Sequence, residues 1–149
     1  MAIVRTAGTE IIRSAHFEVV DSTEQILIVG VQHHIYTVLS VIVFSYDQEV
    51  NGNYMQLFIQ GYDSKEGTTD EELIIFRQPM SDKETFVWND KFSFNGYEPT
   101  DFAGPMNDAT KQDAIADQGS GVAQTLVVKS EHADDNFDVH VTFIDQNNS

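Results

Sequence analysis

Apolar residues recur at every second position through most of this sequence. That period belongs to strands with one face buried and one face wet. Phe137, Val139, Val141 and Phe143 alternate with Asp138, His140 and Thr142. Phe86, Trp88, Phe92 and Phe94 share one parity, with Thr85, Asn89, Lys91 and Ser93 on the other. Met55, Leu57 and Ile59 alternate with Gln56 and Gln60. Turn residues fall between these runs: Asn51-Gly52-Asn53, the polar stretch 63–70, residues 79–83 and Asn95-Gly96. Seven to nine short strands without a strong helix predict an all-β fold, an antiparallel, jelly-roll-like β-sandwich with one long polar loop.

Some predicted strands are short or apolar on both faces: residues 17–20, 25–31, 73–77 and 124–130. Residues 35–46 form the longest. One parity there reads Tyr36, Val38, Ile42, Phe44 and Tyr46; the other reads Ile35, Leu39, Val41 and Val43. A strand apolar on both sides needs a second cover, a loop or another subunit. Ile35, Leu39, Val41 and Val43 are therefore candidate contacts in a homo-oligomer.

Charge narrows the partners. The chain has 24 acidic and 8 basic residues, a formal net charge of −16. Such a body repels phosphate backbones and anionic lipid surfaces, so neither nucleic acid nor membrane is an expected partner. Residues 1–14 differ, with Arg5 and Arg13 against Glu10. They are expected to form an N-terminal arm, ahead of a single sandwich domain at 15–149, and to dock through Arg5 and Arg13 onto an acidic neighbour. No apolar h-region of a secretory signal is visible, and no apolar run approaches the ~18 residues of a membrane helix. Cysteine is absent, which excludes disulfides, thiolate metal sites and a cysteine nucleophile.

Residues 101–121 break the rhythm, being rich in Asp, Ala, Gly, Asn and Gln. Long connections are usually functional or mobile. Residues 108–116 are expected to form one or two helical turns with Asn107 as N-cap. Phe102 and Ile115 are the loop's candidate contacts with a neighbouring protein.

No catalytic constellation stands out, and the expectation is a protein that is not an enzyme and needs no cofactor. Gly119-Ser120-Gly121 lacks the spacing of a nucleophile elbow. Phosphate-binding glycine patterns are missing. Adjacent His33 and His34 on a strand would point to opposite faces, so they do not chelate one ion. Asp134, Asn136 and Asp138 place oxygens at alternate positions, as calcium loops do, but Val139 stands where such a loop needs glycine. Trp88 is read first as core. Its sharper alternative is a sugar-stacking platform, with Tyr62 or Tyr97 as a second ring.

The order of segments carries a resemblance. Ser22-Thr23-Glu24-Gln25-Ile26-Leu27-Ile28-Val29 precedes Ile35-Tyr36-Thr37-Val38-Leu39-Ser40-Val41-Ile42-Val43. Glu84-Thr85-Phe86-Val87-Trp88 and Gln124-Thr125-Leu126-Val127-Val128-Lys129 follow. The last strand reads Phe137-Asp138-Val139-His140-Val141-Thr142-Phe143-Ile144-Asp145. This texture resembles small β-sandwich structural proteins of tailed bacteriophages, over roughly residues 20–145 without the 101–121 stretch. Those proteins often carry a Pro-Ala-Gly turn between their first two strands, where this chain has Gly30-Val31-Gln32-His33-His34. The resemblance implies a virion component assembled in the host cytoplasm, such as a capsid decoration protein or a tail or neck accessory. Its partners would be the major capsid or tail protein. A carbohydrate- or receptor-binding sandwich is the second reading, and an enzyme on a jelly-roll scaffold the third.

Overall fold

The fold is that of a computed structural model, which describes residues 8–98, 100, 107–119 and 121–148. In chain order the elements are β1 (Thr9–Val20), β2 (Gln25–Val29), β3 (His34–Asp47), β4 (Tyr54–Asp63), β5 (Thr68–Pro79), β6 (Thr85–Trp88), β7 (Phe92–Asn95), β8 (Tyr97–Glu98), α1 (Ala109–Asp117), β9 (Val122–Ala123), β10 (Thr125–Ser130) and β11 (Asn136–Asn147). The fold is an antiparallel β-sandwich, as the alternation predicts. One sheet, called A, runs β1-β11-β3-β6, with β7 also paired to β3. Sheet B runs β2-β10-β4-β5, and β8 and β9 form a small separate ribbon.

The core lies between the sheets. Sheet A contributes Tyr36, Val38, Val41, Val43, Phe94, Phe137, Val139, Val141 and Phe143, and sheet B contributes Leu27, Ile28, Met55, Leu57, Ile59, Phe76, Leu126 and Val128. β11, with strands on both sides, alternates buried and half-buried residues over its whole length. Trp88 faces this core at its open edge, its indole 5.7 Å from the ring of Phe76. A ring packed in this way is not a free sugar platform.

The 85–95 stretch, one parity in the sequence, is two strands in space. β6 pairs with residues 41–44 of β3 and β7 with residues 35–38. β1 begins at Thr9 and pairs with β11 from there on, so residues 9–14 of the expected arm belong to the sheet. At one end of the sandwich two backbones touch. A Cβ on Gly30 would lie 2.0 Å from the Gly96 carbonyl oxygen, and one on Gly96 would lie 2.0 Å from that of Val31. Only glycine allows this approach.

Candidate assembly surfaces

The apparent two-sidedness of β3 has a geometric cause. Ser40 pairs with Thr142 and Val38 with Phe143, so Leu39 stands opposite no residue of β11. This is a β-bulge, and one extra residue switches the facing of everything after it. Tyr36 and Val38 point inward before the bulge, and Val41, Val43 and Ser45 do so after it; all five are buried. The expectation that Val41 and Val43 contact a neighbour is therefore corrected: both are fully buried between the sheets. The outward set is Ile35, Ile42, Phe44 and Tyr46, with Leu39 half-buried at the bulge. Ile42, Phe44 and Tyr46 are surface residues that the uninterrupted alternation assigned to the opposite face from Val41 and Val43, without saying which face was wet.

Sheet B is buried on both sides at its centre. Phe58 and Val127 lie on the face turned away from the main core, yet both are fully buried. They form one cross-strand row with Ile26 and Ile74. The Lys129 ammonium sits 5.3 Å from the Phe58 ring centroid.

The outer face of sheet A is different. Along the register, Ile12 lies beside Ile144, Thr37 and Ser93, and His16 beside His140, Ile42 and Val87. Ser14, Thr142 and Ser40 lie between these rows. The His16 and His140 rings are 6.0 Å apart. None of these residues is Asp, Glu, Lys or Arg, in a chain where 24 of 149 residues are acidic. Ile12 is 72% exposed and Val87 51%. These uncharged rows lie between Glu10, beside Gln146, and Asp138, beside Phe44, on the same face.

The remaining expected contacts divide. Arg5 and Phe102 lie outside the described residues. Arg13 is held within its own chain, its Nε 3.4 Å from Asp145 Oδ2, while His34 Nδ1 lies 2.7 Å from Asp145 Oδ1. Ile115 is half-buried on α1. That helix starts at Asp108, not Asn107: the Asp108 carboxylate accepts from the backbone N–H of Thr110 at 2.7 Å. It ends at Gln118, which adopts left-handed backbone angles and is buried. Gln118 Oε1 accepts from the His33 N–H at 2.6 Å, and its amide nitrogen donates to Asn95 Oδ1 at 3.0 Å. The Gln32 side-chain amide also donates to the Gln118 carbonyl. One residue thus fastens the helix to the β2–β3 turn and to β7.

Two polar groupings remain. An open cleft of about 750 Å³ lies where the β4–β5 hairpin passes β7 and β8, lined by Ile59, Tyr62, Leu73, Phe94 and Glu98 among others. Glu98 accepts from the Tyr62 N–H at 2.8 Å. Burial pushes its carboxyl above the ordinary value, Tyr62 opposes this, and the charge of Asp63 adds to it. The Tyr62 hydroxyl donates to the Thr100 carbonyl at 3.0 Å, which ties down this ring too. Glu49, His132 and Asp134 form the second grouping, with ligand atoms within 4.8 Å of one another. His132 already uses both nitrogens: Nδ1 accepts from the Asp134 N–H at 3.1 Å, and Nε2 lies 3.1 Å from Glu49 Oε2. Neighbouring Asp135 is buried and serves the turn. Its Oδ1 accepts from the Glu49 N–H and the Asn53 amide, and its Oδ2 from the His132 N–H. Both of its oxygens therefore already hold donors of this chain.

No family model and no curated protein matches the chain. Three solved structures resemble it in shape. A chain of Bacillus endospore appendages, described as a novel family of disulfide-linked pili, has a TM-score of 0.43 at 10% identity, over 100% of this chain and 97% of that one. A chain of the nora virus structure has a TM-score of 0.40 at 12% identity, over 93% and 57%. A chain of the T13 IBDV viral particle has a TM-score of 0.42 at 9% identity, over 99% and 37%. Likenesses of this degree decide nothing about function.

Proposed function

We propose that this chain is a non-enzymatic structural subunit of a bacteriophage particle, a decoration protein that stabilises the outer surface of the head. The observation that carries the assembly role is the set of uncharged, partly apolar rows on the outer face of sheet A, between Glu10 and Asp138, on a body of net charge −16. The phage assignment rests on the resemblance over residues 20–145. Acidity suits a protein on the outside of a particle, away from packaged DNA. A place at the tail or neck uses the same surfaces and differs only in the partner protein.

The test is recovery from particles. Protein mass spectrometry of phage banded on a density gradient should find the chain in a fixed ratio to the major capsid protein. A fixed ratio to a tail protein instead would move it to the tail. Absence from the particles, together with binding of the pure protein to a glycan array, would replace the proposal with a carbohydrate-binding module. Because residues 9–14 belong to β1, the arm is tested by deleting residues 1–7 only. That deletion should abolish particle binding and leave the melting temperature unchanged.

A further inference from the structure

We propose that two copies of the chain join edge to edge through β1, antiparallel, so that sheet A of one continues into sheet A of the other across a two-fold axis. The inference builds on the assembly role and names the surface and the partner.

A sandwich has four sheet edges, and each exposes backbone donors and acceptors that attract a further strand. Proteins that stay single blunt such edges with short strands, charges, proline or bulges. Three edges here are blunted. On sheet A, the edge beside β3 is split into two four-residue pieces, β6 and β7. On sheet B, β2 has five residues and a bulge in its pairing with β10. β5 carries Asp70, Glu71 and Glu72 in a row, ends at Pro79 and has two irregularities in its pairing with β4.

β1 is the least defended of the four: its charges are the separated Glu10, Arg13 and Glu18, and Arg13, on the inward parity, is bonded to Asp145 of its own chain. It has twelve residues without lysine or proline. Its pairing with β11 is regular through Phe17, and its only irregularity falls between Phe17 and Val20. Among the described residues it pairs with β11 alone. The edge from Glu10 to Phe17 is therefore long and straight. It also borders the uncharged rows of the outer face, with Glu10 and Glu18 the acidic residues of β1 itself.

Side-chain facing fixes the register. Residues directly opposite across a sheet must share a face. Centring the two-fold on Arg13 sets two guanidinium groups against each other. Centring it on Ser14 opposes Glu10 to Glu18. Centring it on Ile12 places the two Ile12 side chains together on the outer face, with Ser14 facing Glu10 and Ile11 facing Arg13. That register opposes no like charges and covers the most exposed large apolar side chain of the described residues.

Sedimentation equilibrium on the full chain tests the pairing. The wild type should form a dimer that tightens between about 0.05 and 0.5 M NaCl, because screening removes the repulsion of two acidic bodies. Ile12→Lys and Ile12→Glu should each weaken it at least about tenfold, a change of ~1.4 kcal/mol. Mixing the two variants should restore a heterodimer, since residue 12 of one copy meets residue 12 of the other. Circular dichroism and melting of each variant check the fold. Hydrogen exchange of the residue 11–17 amides in the wild type, slower at high protein concentration than at low, tests the edge without any variant.

A wild-type monomer at about 100 µM in high salt overturns the proposal, as does unchanged dimerisation of both single variants. The two readings fail separately. A monomer recovered on particles removes the β1 pairing and keeps the assembly role. A dimer absent from particles does the reverse.

Discussion

Replacing valine by threonine along β3 measures which residues the bulge turns inward. The side chains are nearly the same size, so the cost reports polarity and not shape. Val41 and Val43 are fully buried. Each substitution exchanges a buried methyl, about 0.8 kcal/mol of transfer free energy, for a hydroxyl in an apolar core, about 1–3 kcal/mol when it lacks a partner. Val41→Thr and Val43→Thr should therefore each cost roughly 2–3 kcal/mol. Ile42 is 38% exposed on the outer face, where water satisfies the new hydroxyl. Ile42→Thr should cost under about 1 kcal/mol. Urea unfolding separates the two classes: with an m value near 2 kcal/mol/M, the valine variants shift the midpoint by roughly 1–1.5 M. A strand without the bulge cannot turn Tyr36 and Val41 to the same side. If Ile42→Thr proves the most damaging of the three, Val41 and Val43 do not face the core and the bulge is misplaced.

Other substitutions test the supporting geometry. Glu98 has its pKa raised by burial, so its folded-state value exceeds the unfolded one. Its contribution to stability is present below the unfolded value of 4.5 and is lost as pH rises through the folded value. Glu98→Gln should thus raise the melting temperature at neutral pH and lose that advantage below pH 4.5; an advantage that grows on acidification would contradict the burial argument. Asp135→Ala leaves the Glu49 and His132 N–H groups and the Asn53 amide without their acceptor, and should cost roughly 3 kcal/mol in chemical denaturation. Asp135→Asn keeps one oxygen for two of these donors and should cost about half as much. Equal losses would show that charge, and not the number of acceptors, matters at this turn.

The sandwich was legible because one period runs through β4, β6, β7 and β11. β11 is readable residue by residue, since it lies in the middle of its sheet and its alternation is never interrupted. β3 was legible as a strand and illegible as a pair of faces. Both of its parities are apolar, and a bulge depends on the partner's register, which a single strand does not contain. β1 was seen only at its end, residues 17–20. The part before Phe17 mixes Arg13, Ser14 and His16 with isoleucines and alternates weakly, because an edge strand buries little of itself. The short helix was anticipated one residue out, since Asn107 and Asp108 are both good caps and only the backbone decides between them. Gln118 could not have been anticipated as a fastener: its partners Gln32, His33 and Asn95 are brought near only by the folded chain. The surfaces proposed for assembly were least readable, because they are defined by edge position and by missing charge, neither of which has a motif.

The bulge at Leu39 also bears on how this strand tolerates insertions and deletions. Removing one residue elsewhere in β3 exchanges the two faces of everything that follows, sending valines to solvent and tyrosine to the core. Removing Leu39 takes out a residue without a counterpart on β11, as Tyr46 also is near the strand's end, and leaves Tyr36, Val38, Val41, Val43 and Ser45 on the side they already occupy. In a lineage of such chains, a gap in this strand should fall at that position and at few others. The bulge is thus the joint at which the strand can change length and still close the same core.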